Sequence, residues 1–270
     1  MKILLKNDDL NEALTNVSNL GFVPTMGGLH KGHISLIKKS KLSSNKTLVS
    51  IFVNPRQFNN KRDYKRYPRS IKNDLSILKK LKVDYIFIPN EKDIYKPKRR
   101  KKIKLNDKDK ILCAKFRKGH FEGVLDIMDR LITLINPKKV YMGEKDFQQL
   151  YLVKKFIEKK YKSKIINCKT IRNKNKLALS SRISLLKKKE IYNAENLSKD
   201  LFFFKKKLLK NNNMSKHLEI KKEQLDNLYQ VNIEYLELRN RNTLKKTTMI
   251  KNAKLFVAYY VGRIRLIDNF

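Results

Sequence analysis

The chain has 270 residues, 41% of them apolar, enough to bury a real core in one large domain or two modest ones and too many for a disordered tail. Lys and Arg number 64 against 25 Asp and Glu, a formal charge of +39 that runs from Lys2 to Arg265 instead of gathering on one arm. No apolar run reaches the roughly 18 residues of a membrane span, Asp8-Asp9 cut short any signal-peptide core, and Cys113 and Cys168 suit neither a disulfide framework nor a C-x-x-C pair, so the expectation is a soluble, cytoplasmic protein without a membrane partner.

In chain order, Phe22–Thr25 reads as a short strand, the segment from Ile34 as a helix, and Leu48–Val53 as the next strand. Ile71, Leu75, Leu78 and Leu81 lie at helical spacing and lead into a strand over Val83–Ile88 that Pro89 ends. Val124, Ile127, Met128, Leu131, Ile132 and Ile135 form one apolar helix face stopped by Pro137, and Val140–Met142 runs as a strand into Gly143. A helix from Asp146 to about Lys159 and a strand over Lys164–Cys168 follow. Strands alternating with helices predict an α/β fold, a Rossmann-like, doubly wound parallel sheet of about five strands.

Beyond Thr170 the texture changes. A Lys-rich helix is expected from Ile183 to about Asn213 around Leu197, Leu201, Phe204 and Leu208, with the triple Asn 211–213 as a turn. Ile233–Leu238, Leu255–Tyr260 and Arg263–Ile267 read as strands, the last two joined by a hairpin at Gly262. The boundary is placed near 175: residues 1–175 as the Rossmann-like domain, and 176–270 as a smaller α+β domain.

The one dense basic block, residues 96–104, is open to two readings, a solvated loop of mutually repelling charges or a contact for RNA or a phosphorylated ligand. It has no RNP-type aromatic motif, zinc knuckle or heptad series beside it, and the Lys, Asn and Ile that crowd the whole chain have A/T-rich codons. No specific nucleic-acid partner is expected.

Most informative is Pro24–His33, which joins a strand to a helix through Gly27, Gly28 and Gly32 and sets His30 and His33 at the helix start. Free backbone N–H groups and the helix dipole favour an anion at such a turn. The Gly27-to-Gly32 spacing imitates a P-loop, but His33 and Ile34 stand where its Lys and its Ser or Thr belong. Zinc is the other use for paired histidines, yet only His120 and His217 remain and no thiol is close in sequence.

His30-Lys31-Gly32-His33 after a first strand resembles the H-x-G-H nucleotidyltransferase superfamily. Val53–Phe58, Arg66–Arg69, Gly119–Val124, Gly143–Gln149, Leu179–Arg182 and Tyr235–Arg239 then follow in the order of the pantothenate synthetase family, so that the resemblance spans about residues 20–269. It implies ATP-dependent condensation of pantoate with β-alanine through pantoyl adenylate, with Mg2+, in a homodimer. By the same resemblance, His30, His33, Lys145 and Arg182 are the catalytic set. His30 and His33 contact ATP phosphates, Lys145 holds the reacting phosphate, and Ser180, Ser181 and Arg182 cover the triphosphate. Asp146 meets the adenosine, Gly143 allows close backbone approach, and Met26 also borders ATP. Gln57 and Gln149 bind the hydroxyl and carboxylate of pantoate, Met26 and Phe58 wall its dimethyl carbon, and Asp74 is the acid nearest the magnesium.

The chain departs from the family at identifiable places. Gly28 stands where Ala is usual, Asn73-Asp74 where an acidic pair is, Asn175-Lys176 where Asp-Gly is, and Ile183 where Asn is. Two other readings compete: a different adenylyl or cytidylyl transferase, against which the Gln pair and the serine-arginine segment argue, and an RNA-binding protein recruited by charge, which a salt-dependent gel shift detects.

Overall fold

The computed structural model describes residues 1–95, 103–208 and 213–270 and divides the chain into two compact units, Met1–Lys169 and Thr170–Phe270. Most of the basic block, residues 96–102, and Asn211-Asn212 of the expected turn lie outside the described residues.

In the first unit the order is β1 (Lys2–Leu4), α1 (Asn7–Leu14), β2 (Leu20–Thr25), α2 (Lys31–Ser43), β3 (Lys46–Ile51), α3 (Lys61–Arg66), α4 (Ile71–Lys80), β4 (Tyr85–Phe87), α5 (Glu91–Ile94), α6 (Cys113–Phe116), α7 (His120–Ile135), β5 (Lys139–Gly143), α8 (Phe147–Lys160) and β6 (Lys164–Cys168). Six parallel strands form a sheet in the order β1-β4-β3-β2-β5-β6. The strand missing from the sequence reading is β1, three residues too short for a period to show. Val23, Val49, Ile86 and Tyr141 from the strands pack with Leu36, Ile37 and Leu78 from helices, each buried, as a parallel sheet covered by helices requires.

Without the edge strand β1, the order is the 3-2-1-4-5 of doubly wound sheets, whose ligand crevice opens beyond the strand ends where the winding reverses. Here that point lies between β2 and β5. Pairing of β2 with β3 continues to Thr25↔Ile51, whereas its pairing with β5 stops at Phe22↔Val140. Pro24, which has no N–H for a ladder, sits in the stretch where β2 leaves β5.

The second unit contains α9 (Lys188–Lys207), α10 (Met214–Tyr229) and an antiparallel sheet β7 (Asn232–Asn240), β8 (Ala253–Val261) and β9 (Ile264–Asn269) in that order. Leu197 and Leu201 of α9, Leu218 and Leu225 of α10, and Leu236, Leu255 and Val257 of the sheet share its core. The unit starts at 170, ahead of the expected 175, because residues 170–178 are tied into it. Arg172 bridges to Ala178 and grips the buried Asp268 with both terminal guanidinium nitrogens, at 2.6 and 2.8 Å.

Candidate functional site

The turn after β2 is stitched from below. Gly27 and Gly28 adopt φ of +77° and +62°, a region side chains rarely enter, and a Cβ on Gly27 would lie 2.9 Å from Asp74 Oδ2. Asp74, 2% exposed on α4, accepts the N–H of Gly28 at 2.9 Å and of Leu29 at 2.8 Å, one on each carboxylate oxygen. Thr25 Oγ1 accepts the N–H of Gly27 at 3.2 Å and donates to Ser50 O.

This arrangement differs from the expectation of free backbone donors. The N–H groups of residues 27 to 29 already serve an internal carboxylate and a hydroxyl, so the turn behaves as an anion cradle occupied by Asp74. Asp74, expected to be the acid nearest the magnesium, anchors the loop through these two bonds. Among the described residues no group of three or more His, Cys, Asp or Glu side chains is arranged to hold a metal ion.

With the backbone engaged, side chains must supply the donors. His30 caps α2: its Nδ1 accepts the N–H of Gly32 at 3.1 Å, while His33 Nδ1 accepts the N–H of His30 at 3.3 Å. A ring that accepts at Nδ1 carries its proton on Nε2. Burial, with Lys145 next in weight, pushes His30 down to about 4; burial, with His30 and Lys145 after it, pushes His33 down to about 3. Both imidazoles are thus neutral Nε2–H donors at pH 7, their centroids 4.2 Å apart.

Lys145 comes from the turn of 3-10 helix, Glu144–Asp146, that follows β5 and Gly143. Its side chain is 18% exposed and its Nζ lies 3.6 Å from Asp146 Oδ1. The charges of Lys145 and Asp146 both act on His30, so the crevice between β2 and β5 brings His30, His33, Lys145 and Asp146 together. Two neutral donors beside one ammonium suit a phosphate chain, because they bind oxygen without the mutual repulsion of three cations.

Met26 and Gln57 meet at a second place, and Phe58 follows Gln57 in the chain. Gln57 Nε2 is 2.9 Å from Met26 Sδ, and Phe58 meets Tyr64 and Tyr67 edge-on at 5.3 and 5.6 Å. Gln149 is half-buried in the first turn of α8, beside Gln148, which turns inward and donates to the carbonyls of Asp109 and Ile111 at 3.3 and 2.7 Å. Ser180, Ser181 and Arg182 are half-buried in the second unit, at a 3-10 turn over Ser181–Leu185.

Residue-level reading of the sequence missed the groups that hold Gln57. His120 Nδ1 donates to the Gln57 carbonyl at 2.6 Å while its Nε2 accepts from Arg117 Nη1 at 2.9 Å. Asn54, 1% exposed, donates to Gln57 Oε1 at 3.2 Å. Gly123 allows the contact, since a Cβ there would stand 2.4 Å from the carbonyl oxygen of Arg56. The signal was present in Gly119-His120-Phe121-Glu122-Gly123, but what that segment touches was not.

The chain matches the family model described as pantoate-beta-alanine ligase over residues 2–270. It is 39% identical over 256 residues to a pantothenate synthetase of Sulfurihydrogenibium sp. and 41% identical over 257 residues to one of Clostridium botulinum, in each case covering 93% of this chain and 91% of the relative. Among solved structures, the pantoate-beta-alanine ligase of Francisella tularensis, complexed with beta-gamma ATP and beta-alanine, is similar with a TM-score of 0.87 at 37% identity, over 100% of this chain and 97% of that one. The pantothenate synthetase of Thermus thermophilus is similar with a TM-score of 0.90 at 28% identity, over 100% and 99%.

Proposed function

The chain belongs to the pantoate–β-alanine ligase family and joins pantoate to β-alanine with ATP, and on that premise we propose that the ligase works through pantoyl adenylate formed in the crevice between β2 and β5 of a Rossmann-like domain. A pantoate carboxylate oxygen attacks the α-phosphorus and the bond to pyrophosphate breaks. The amine of β-alanine then attacks the acyl carbon, AMP leaves, and the amide nitrogen gives up a proton.

The observation that carries this reading is the pair of imidazoles fixed as neutral Nε2–H donors beside Lys145. In the first step charge builds on phosphate oxygens and the carboxylate is already an adequate nucleophile, so preorganised donors matter more than a base. His30 and His33 donate to the phosphates, Lys145 compensates the charge on the reacting phosphate, and Gly143 and Asp146 border the adenosine. Gln57 and Gln149 hold pantoate between Met26 and Phe58, with Met26 also bordering ATP. Ser180, Ser181 and Arg182 keep the role toward the triphosphate that the family resemblance implies. Magnesium is assigned to the incoming triphosphate as part of the substrate. A homodimer in the cytoplasm completes the reading; among the described residues no helix is long and apolar enough to cross a membrane.

His33→Ala and Lys145→Ala test it. Each lowers turnover by roughly 100-fold or more, the scale for one preorganised donor to developing charge. A variant with a native circular dichroism spectrum and a rate within about threefold of wild type removes that residue from the machinery.

A further inference from the structure

Tyr95, the residue after α5, belongs to none of the sequence motifs. Its ring carries two guanidiniums, Arg56 Cζ at 3.6 Å and Arg130 Cζ at 4.6 Å from the centroid, and both arginines pair with Asp126, at 3.9 and 2.9 Å. Its hydroxyl donates to Asn54 Oδ1 at 2.8 Å. Burial, with the charge of Asp126, pushes the phenol above its ordinary range, so it stays protonated and remains a donor.

Asn54 can adopt one amide orientation only. Its Oδ1 faces the N–H of Arg56 at 3.1 Å and its Nδ2 faces the carbonyl of Gly123 at 3.2 Å, and neither backbone group can exchange donor for acceptor. Nδ2 also donates to Gln57 Oε1 at 3.2 Å, which decides the orientation of the glutamine amide. What Gln57 presents beside Met26 is then its NH2, resting at 2.9 Å on a thioether sulfur, a weak acceptor that a substrate oxygen outcompetes.

We propose that Tyr95 is a positioning residue for pantoate: its hydroxyl holds Asn54, and Asn54 holds the Gln57 carboxamide with its nitrogen toward a hydroxyl or carboxylate oxygen of the substrate. The proposal rests on the reading of Gln57 as a pantoate ligand. It makes Gln57 a donor prepared before substrate arrives, and it explains why an amide recognises an oxygen-rich ligand with no added charge.

The test uses Tyr95→Phe, which keeps the ring against Arg56 and Arg130, in the full-length enzyme, alone and combined with Gln57→Ala. Loss of one of the two donors to a buried oxygen raises KM for pantoate roughly five- to tenfold, leaves KM for ATP near wild type and lowers the melting temperature by only roughly 2–4 °C. In the Gln57→Ala background the same change adds nothing, because the hydroxyl acts through that amide. Asn54→Asp, isosteric but without the donor toward Gln57, raises KM for pantoate further and serves as the second probe. If Gln57→Ala leaves KM for pantoate unchanged, the pantoate reading of Gln57 fails and the proposal with it. If Gln57→Ala raises it while neither Tyr95→Phe nor Asn54→Asp does, or if Tyr95→Phe shifts both KM values alike or adds fully to Gln57→Ala, the positioning role alone is overturned.

Discussion

Replacing Asp74 by Asn separates two uses of a carboxylate within one experiment. In the wild type each oxygen takes one backbone N–H, from Gly28 at 2.9 Å and from Leu29 at 2.8 Å, at a site 2% exposed. The amide keeps one acceptor and turns an NH2 group toward the other N–H, so one charge-assisted bond is lost and a donor is stranded, for about 2–3 kcal/mol. For a unit of this size that lowers the melting temperature by roughly 4–12 °C. The same loop positions Met26 and His30, so KM for ATP rises as well. Thermal unfolding followed by a magnesium titration of the rate decides the matter. The anchor account predicts a lower melting temperature with an unchanged magnesium requirement. A wild-type melting temperature with a magnesium half-saturation point raised tenfold or more makes Asp74 a metal ligand, and a variant unchanged in both refutes the anchor.

Two further outcomes follow from local geometry. His30 and His33 have folded-state values near 4 and 3 against 6.5 unfolded, so the unfolded chain binds protons first; their contribution to stability is complete above pH 6.5 and is lost as pH falls toward 3. His33→Gln therefore flattens the fall in melting temperature between pH 6.5 and 4.5, and an acid limb identical to wild type contradicts the assignment. Lys176, at φ +68°, stands where the family has Gly, so Lys176→Gly gains about 0.5–1 kcal/mol, even after losing the contact of its Nζ with the Phe202 ring at 5.1 Å. A lower denaturation midpoint for that variant shows that the left-handed turn carries no strain.

What could be read from the sequence followed range. Strands and helices whose apolar period is carried by consecutive residues, such as Lys164–Cys168 and the face from Val124 to Ile135, appear where the period placed them. By contrast α10 went unseen: its 16 residues bury only Met214, Leu218 and Leu225, too few to mark a face in a Lys- and Glu-rich segment. The site divides in the same way. His30, His33, Gly143 and Lys145 are visible as motifs because they are local to two strand ends. Asp74 under Gly28, Asn54 against Gly123 and Tyr95 on Asn54 join positions about 40 to 70 residues apart, and whether a backbone N–H is free or engaged is a tertiary property. The departure at Asn175 shows a compensation of this kind. Its Nδ2 and that of Asn173 both donate to the Glu195 carboxylate, which an Asp at 175 would repel.

Isotope exchange between pyrophosphate and ATP, with pantoate present and β-alanine absent, tests the central claim most directly. If the crevice between β2 and β5 makes pantoyl adenylate before the amine arrives, labelled pyrophosphate enters ATP with pantoate alone, and His33→Ala and Lys145→Ala suppress the exchange along with turnover. Exchange that appears only when β-alanine is added contradicts a free-standing adenylate step and, with it, the assignment of the imidazole pair and Lys145 to that step.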